Sequence, residues 1–172
     1  MAKLPRCYWD STCFLAWLKP EEARKPACHD VISAAERGEI QILTSAVSLT
    51  EVIKLNKGPI EIPQEHEERI SRFFQQEYIV VVQVTRFVAE SARSLIWRFP
   101  HLRPKDALHA ATALYARIEE LHTFDGDFLP LDGQVGTPPL KVCEAQMIQP
   151  SLPLELPPEA PTETTNDEDE IN

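Results

Sequence analysis

Residues 78–84 read Tyr-Ile-Val-Val-Val-Gln-Val, a nearly unbroken β-branched run with helical periodicity on either side. Successive side chains of a strand point to opposite faces, so a run that is apolar at consecutive positions must be covered on both. This predicts a central strand of a parallel sheet with helices above and below it. The flanks agree: Ile70, Phe73 and Phe74 fall at i, i+3 and i+4 of a helix opening near Pro63. Val88, Ala92, Leu95, Ile96 and Phe99 mark a second helix, which Pro100 ends.

The rest of the chain repeats the alternation. Short strands are expected at 7–9, 40–43, 121–124 and 140–143. Between them, Asp10-Ser11-Thr12 offers N-cap residues for a first helix, and a second spans about 20–37 before Gly38. A third covers about 45–56, and another begins at Pro104 and carries Ala107, Ala110, Ala111, Leu114 and Ile118 at helical spacing. Strands alternating with helices imply an α/β fold with a five-stranded, mostly parallel sheet.

The formal charge of −10 looks unfavourable for binding nucleic acid, but it is unevenly placed. Beyond Pro150 the chain has seven acidic residues, four prolines and no Lys or Arg; setting those seven aside leaves 20 acids against 17 bases. The body is nearly neutral. One domain over 1–149 is therefore expected, with 150–172 an acidic, proline-rich tail too poor in large apolar residues to offset its ordering entropy. No apolar run approaches the roughly 18 residues of a membrane span, and the first residues lack a secretory signal, so no membrane association and a cytoplasmic location are expected. Cys7, Cys13, Cys28 and Cys143 lack C-x-x-C spacing, which argues against a zinc site or a disulfide framework.

Ligands of such a sheet bind outside the carboxyl ends of its strands. Four acids belong there. Asp10 and Asp125 directly follow the first and fourth strands, Glu51 lies in the helix after the second, and Asp106 lies in the first turn of the helix that feeds the fourth. Asp127 is two residues further on and could join them. Each has an ordinary reading: Asp10 as an N-cap, Ser48-Leu-Thr-Glu51 as a capping box, Asp106 as a helix-dipole partner, Asp125-Gly-Asp127 as a turn. Their convergence has none, because neighbouring carboxylates repel and raise one another's pKa unless a cation is present. All-oxygen ligation suits Mg2+ or Mn2+. A pair of such ions about 3.5–4 Å apart can activate water and stabilise the leaving oxygen of a phosphodiester.

The segments Tyr8-Trp9-Asp10-Ser11-Thr12, Ser48-Leu49-Thr50-Glu51-Val52, Pro104-Lys105-Asp106-Ala107-Leu108-His109 and Thr123-Phe124-Asp125-Gly126-Asp127-Phe128 together resemble the motifs of the PIN-domain nucleases. The similarity is closest to the single-domain toxins of VapBC-type toxin–antitoxin pairs and covers about 6–145. The resemblance implies an α/β/α sandwich and a Mg2+- or Mn2+-dependent endoribonuclease acting on structured or messenger RNA. It also implies a small antitoxin that enters the active-site groove, and a homodimer. By motif position Asp10, Glu51, Asp106 and Asp125 carry over as catalytic, metal-binding acids, with Asp127 as an auxiliary ligand. Ser11, Thr12 and Thr123 carry over as residues that orient ligands or water. The chain departs from the pattern in its length and its acidic tail.

RNA also needs cationic contacts to its phosphates, for which Arg98, Arg103 and Lys105 are the expected residues, with Lys54 and Lys57 weaker. His109, in Ala-rich surroundings, reads as a packed core histidine, and Trp9, Trp17 and Trp97 read as core or dimer packing rather than base-stacking groups. Two other functions remain open. Asp125-Gly-Asp127 resembles the Asp-x-Asp of phosphoaspartate phosphatases, which place it on the first strand. A catalytically silent PIN-like module would instead engage a partner peptide through its acidic groove. The nuclease reading fails if the four acids lie far apart, or if Arg and Lys hold them so that no ion can enter.

Overall fold

A computed structural model describes residues 4–19, 24–53 and 63–147. The expected tail at 150–172, the start of the second helix, the end of the third, and Lys54 and Lys57 lie outside the described residues.

Five strands, β1 (Arg6–Trp9), β2 (Gln41–Ser45), β3 (Ile79–Val82), β4 (Glu120–His122) and β5 (Lys141–Cys143), form one all-parallel sheet in the order β3-β2-β1-β4-β5. The connecting helices are α1 (Ser11–Leu18), α2 (Lys25–Glu36), α3 (Ser48–Glu51), α4 (Gln64–Phe74), α5 (Arg86–Arg98) and α6 (Pro104–Tyr115), with a 3-10 turn at Gly126–Leu131.

Strand alternation divides the core. Cys7, Trp9, Ile42 and Ile79 point to the layer of α1, α2 and α4, where they meet Phe14, Val31 and Ile70. Tyr8, Leu43 and Leu121 point to α5 and α6, where they meet Val88, Leu95, Ala107 and Ala110. The small residues of α6 bring its backbone, and with it the buried Asp106 and His109, close to the sheet. This is the α/β/α arrangement.

One expectation is corrected: β3 lies at the edge of the sheet, not its centre. Both its faces are nonetheless covered, since Val81 packs on one layer and Val80 and Val82 on the other. A β-branched run reports covered faces, and that is independent of whether both edges are hydrogen-bonded. The helix after β2 is also shorter than expected, four residues with Val47 as N-cap and no side-chain cap bond. The Ser48–Glu51 capping box does not form. Ser48 Oγ instead meets Thr44 Oγ1 at 2.7 Å, and Glu51 turns away from its own helix.

Candidate active site

The carboxyl edge of the sheet opens into a cavity of about 210 Å³ lined by Asp10, Glu51, Asp106 and Asp125, together with Ser11, Thr12, Lys105 and His109. The four acids come from four separate chain segments. Each is held differently.

Asp10 is almost wholly buried and caps α1, its Oδ1 accepting from Thr12 N at 3.0 Å and Cys13 N at 3.2 Å. The same oxygen accepts from Thr12 Oγ1 at 2.6 Å, while Oδ2 accepts from Thr123 Oγ1 at 2.6 Å. A carboxylate has about four lone pairs, and Oδ2 retains one that no described residue uses. Burial pushes the Asp10 carboxyl above its ordinary range, against the hydroxyl bonds that favour its charge. The two threonines also fix the loop after β4: Thr12 Oγ1, on α1, accepts from Phe124 N at 2.8 Å and Thr123 Oγ1 from Asp125 N at 2.9 Å. Both auxiliary threonines thus orient the loop after β4 as well as Asp10.

Asp106, Asp125 and Asp127 each offer a carboxylate oxygen, all within 4.8 Å of one another. Arg103 spans them, Nε lying 3.1 Å from Asp106 and Nη2 lying 3.3 Å from Asp125 and 2.6 Å from Asp127. Burial raises the Asp106 carboxyl; Arg103 opposes that shift and Asp125 adds to it. Asp125 Oδ1 also accepts from Asp127 N at 3.0 Å, so the turn reading and the site reading describe the same residues.

Glu51 meets three donors: Ser11 Oγ and His109 Nε2 at Oε2, and Lys105 Nζ at Oε1, 2.7 Å away. Burial opposes its charge, yet the bonds from His109, Lys105 and Ser11 outweigh burial and hold the carboxyl down to about 2.

The acids therefore converge, and Arg103 and Lys105 sit on three of the four, while Asp10 pairs with neither and is held by hydroxyls and backbone N–H groups. Arg103 is about half exposed, with 54% of its side chain in solvent. Its pairs with the partly exposed Asp125 and Asp127 are of the weak kind that another cation readily replaces. The donor set is entirely carboxylate oxygen, which suits a hard divalent ion such as Mg2+ or Mn2+. Arg98 lines no part of the cavity; its guanidinium lies 5.0 Å from the Phe99 ring centroid. Trp97, expected to pack in the core or in a dimer, is not in the core: it is 71% exposed, with Arg93 5.1 Å from its ring.

His109 is buried as expected, but its ring reaches Glu51, a contact that the Ala-rich pattern around it concealed. A second group, Glu120, His122 and Cys143, also brings ligand atoms within 4.8 Å. Trp9 Nε1, which can only donate, bonds His122 Nδ1 at 3.1 Å. His122 Nε2 then carries the ring hydrogen and faces Glu120 at 3.4 Å, which leaves neither ring nitrogen a free lone pair for an ion. The four cysteines form no disulfide.

A family model described as the PIN domain matches residues 7–133. The chain belongs to the PIN domain family. All five acids of the site lie inside the matched span, whereas β5 lies beyond it. No curated protein sequence matches. Among solved structures, the chain is similar to the Mycobacterium tuberculosis VapC20 toxin, described as cleaving the sarcin-ricin loop, with TM-score 0.58 and 19% identity over 72% of this chain and 93% of that one. It is also similar to Rickettsia felis VapBC2 bound to a promoter DNA fragment, with TM-score 0.56 and 12% identity over 81% and 97%. A toxin–antitoxin complex from Klebsiella pneumoniae gives TM-score 0.51 and 19% identity over 71% and 89%. These likenesses show that the chain shares their fold. Among the described residues no helix is long and apolar enough to cross a membrane.

Proposed function

We propose that this PIN domain is a Mg2+- or Mn2+-dependent endoribonuclease, the toxin of a type II toxin–antitoxin pair. One observation carries the reading: Asp10, Glu51, Asp106 and Asp125, drawn from four segments, line a single cavity. Carboxylates so placed repel unless a cation joins them.

Asp106, Asp125 and Asp127 would hold an ion through their converging oxygens, with the remaining lone pair of Asp10 Oδ2 as a further ligand. Glu51 would ligate a second ion or position the attacking water. When bound, such an ion neutralises charge on the scissile phosphate and lowers the pKa of water. Thr12 and Thr123 fix Asp10, and Ser11 fixes Glu51, so the acids need not reorganise. Arg103 and Lys105 would transfer from carboxylates to RNA phosphates as substrate and ion arrive, with Arg98 a more distant phosphate contact. The partner is a small antitoxin that fills the same groove, and the toxin acts as a homodimer in the cytoplasm.

The decisive experiment is incubation of the purified protein with total RNA and Mn2+, with and without chelator, followed by mapping of cleaved ends. Discrete, chelator-sensitive ends support the proposal; RNA left intact with Mn2+ refutes it. The Arg103 and Lys105 bridges favour a second reading, a silent module whose acidic edge receives a basic partner peptide. Absence of Mn2+ binding by calorimetry would select it.

A further inference from the structure

Glu51 Oε2 accepts two hydrogen bonds, from Ser11 Oγ and from His109 Nε2 at 2.8 Å, while Oε1 accepts one from Lys105. An ionised carboxylate only accepts, so His109 Nε2 must carry the ring hydrogen. In the neutral imidazole Nδ1 is then an acceptor, and its partner is the Tyr8 hydroxyl at 2.7 Å, which must donate. Only one tautomer satisfies both ends. Tyr8 is fully buried on β1 and His109 is 1% exposed on α6, their rings edge-on at 5.9 Å, so neither can swing away.

Both lone pairs of Oε2 are thereby occupied, and the oxygen with capacity left is Oε1, whose one partner is half-exposed Lys105. We infer that Tyr8 and His109 are positioning residues, a buried donor relay that locks Glu51 and turns Oε1 toward whatever the cavity binds. Neither touches substrate; both act through Glu51. The kinetic arm of the test rests on the nuclease reading, and the spectroscopic arm does not.

The spectroscopic arm is a 1H–15N spectrum of the histidine rings of the full chain without metal. The His109 signals, identified by their loss in His109→Gln, should report hydrogen on Nε2, and Tyr8→Phe should shift the Nδ1 resonance that loses its donor. Hydrogen on Nδ1 in the wild type, or an unmoved Nδ1 in Tyr8→Phe, would overturn the relay. For the kinetic arm, His109→Leu removes the donor and His109→Gln keeps an N–H near the Nε2 position. His109→Leu should lose about 10–100-fold in kcat, the usual effect of removing a partner that orients a ligand, with KM for RNA unchanged. His109→Gln should recover most of it. A folded His109→Leu with wild-type kcat, or His109→Gln as impaired as His109→Leu, would overturn the role. Should His109→Leu not fold, Tyr8→Phe replaces it: a lowered kcat with unchanged KM supports the relay and an unchanged kcat overturns it. If the wild type cleaves no RNA, the nuclease proposal falls, and the ring spectrum still decides whether Glu51 is held in this way.

Discussion

Asp10 separates chemistry from stability more sharply than the other acids, because it is both a candidate ligand and the cap of α1. Asp10→Ala removes the acceptor for Thr12 N and Cys13 N, costing about 1 kcal/mol for a lost N-cap. It also strands the Thr12 and Thr123 hydroxyls, at on the order of 1 kcal/mol each. The sum is about 3 kcal/mol. Asp10→Asn keeps Oδ1 and the cap but puts an amide N–H where Thr123 Oγ1 donates, a mismatch of about 1 kcal/mol. Cleavage should fall by more than about 100-fold in both, since even a ligand's supporting partner is worth up to that much.

The assays are urea denaturation with chelator present, so that bound metal does not mask the difference, and cleavage of a short fluorogenic RNA with Mn2+. A pH series adds a sign. Burial raises the Asp10 carboxyl above its unfolded value of 3.8, so the folded state binds that proton more tightly. The associated stability is fully present below 3.8 and is lost as pH rises through the folded value. Asp10→Asn should lack that loss. Wild-type cleavage by Asp10→Asn, or equal stability of the two variants, would refute the reasoning.

Three further outcomes follow from the same geometry. Glu51, held down to about 2 against an ordinary 4.5, should contribute roughly 3 kcal/mol of stability above pH 4.5 that disappears as pH falls toward 2; acid titration of unfolding in Glu51→Gln should be flatter across that window. Because Arg103 competes for the oxygens of Asp106, Asp125 and Asp127, Arg103→Gln should bind Mn2+ more tightly by electron paramagnetic resonance while KM for RNA rises; weaker Mn2+ binding would mean that Arg103 assembles the site. Mn2+ should raise the melting temperature of the wild type and leave Asp106→Asn unmoved, and an equal rise in both would place the ion elsewhere.

Much of this was legible in one dimension. The period of the apolar residues separates strands from helices, and the direction of a parallel sheet then sends every residue just after a strand, or at the start of the returning helix, to one edge. That reasoning alone places Asp10, Glu51, Asp106 and Asp125 together. It also separates an almost neutral body from an acidic tail.

The fold decided what the pattern could not. The run at 78–84 signals covered faces, but the edge position of β3 depends on which strand pairs with β2, a contact between distant segments. Ser48 and Glu51 have capping-box spacing, yet Glu51 finds stronger donors in Ser11, Lys105 and His109, brought to it from other elements. Arg103 shows its target only once the loop after β4 folds back beside α6. His109 meets Tyr8, 101 residues away in sequence, and Glu51, 58 away. Periodicity is a local property of the chain, whereas hydrogen-bond partners and charge neutralisation depend on distances of a few ångströms between segments that only packing brings together.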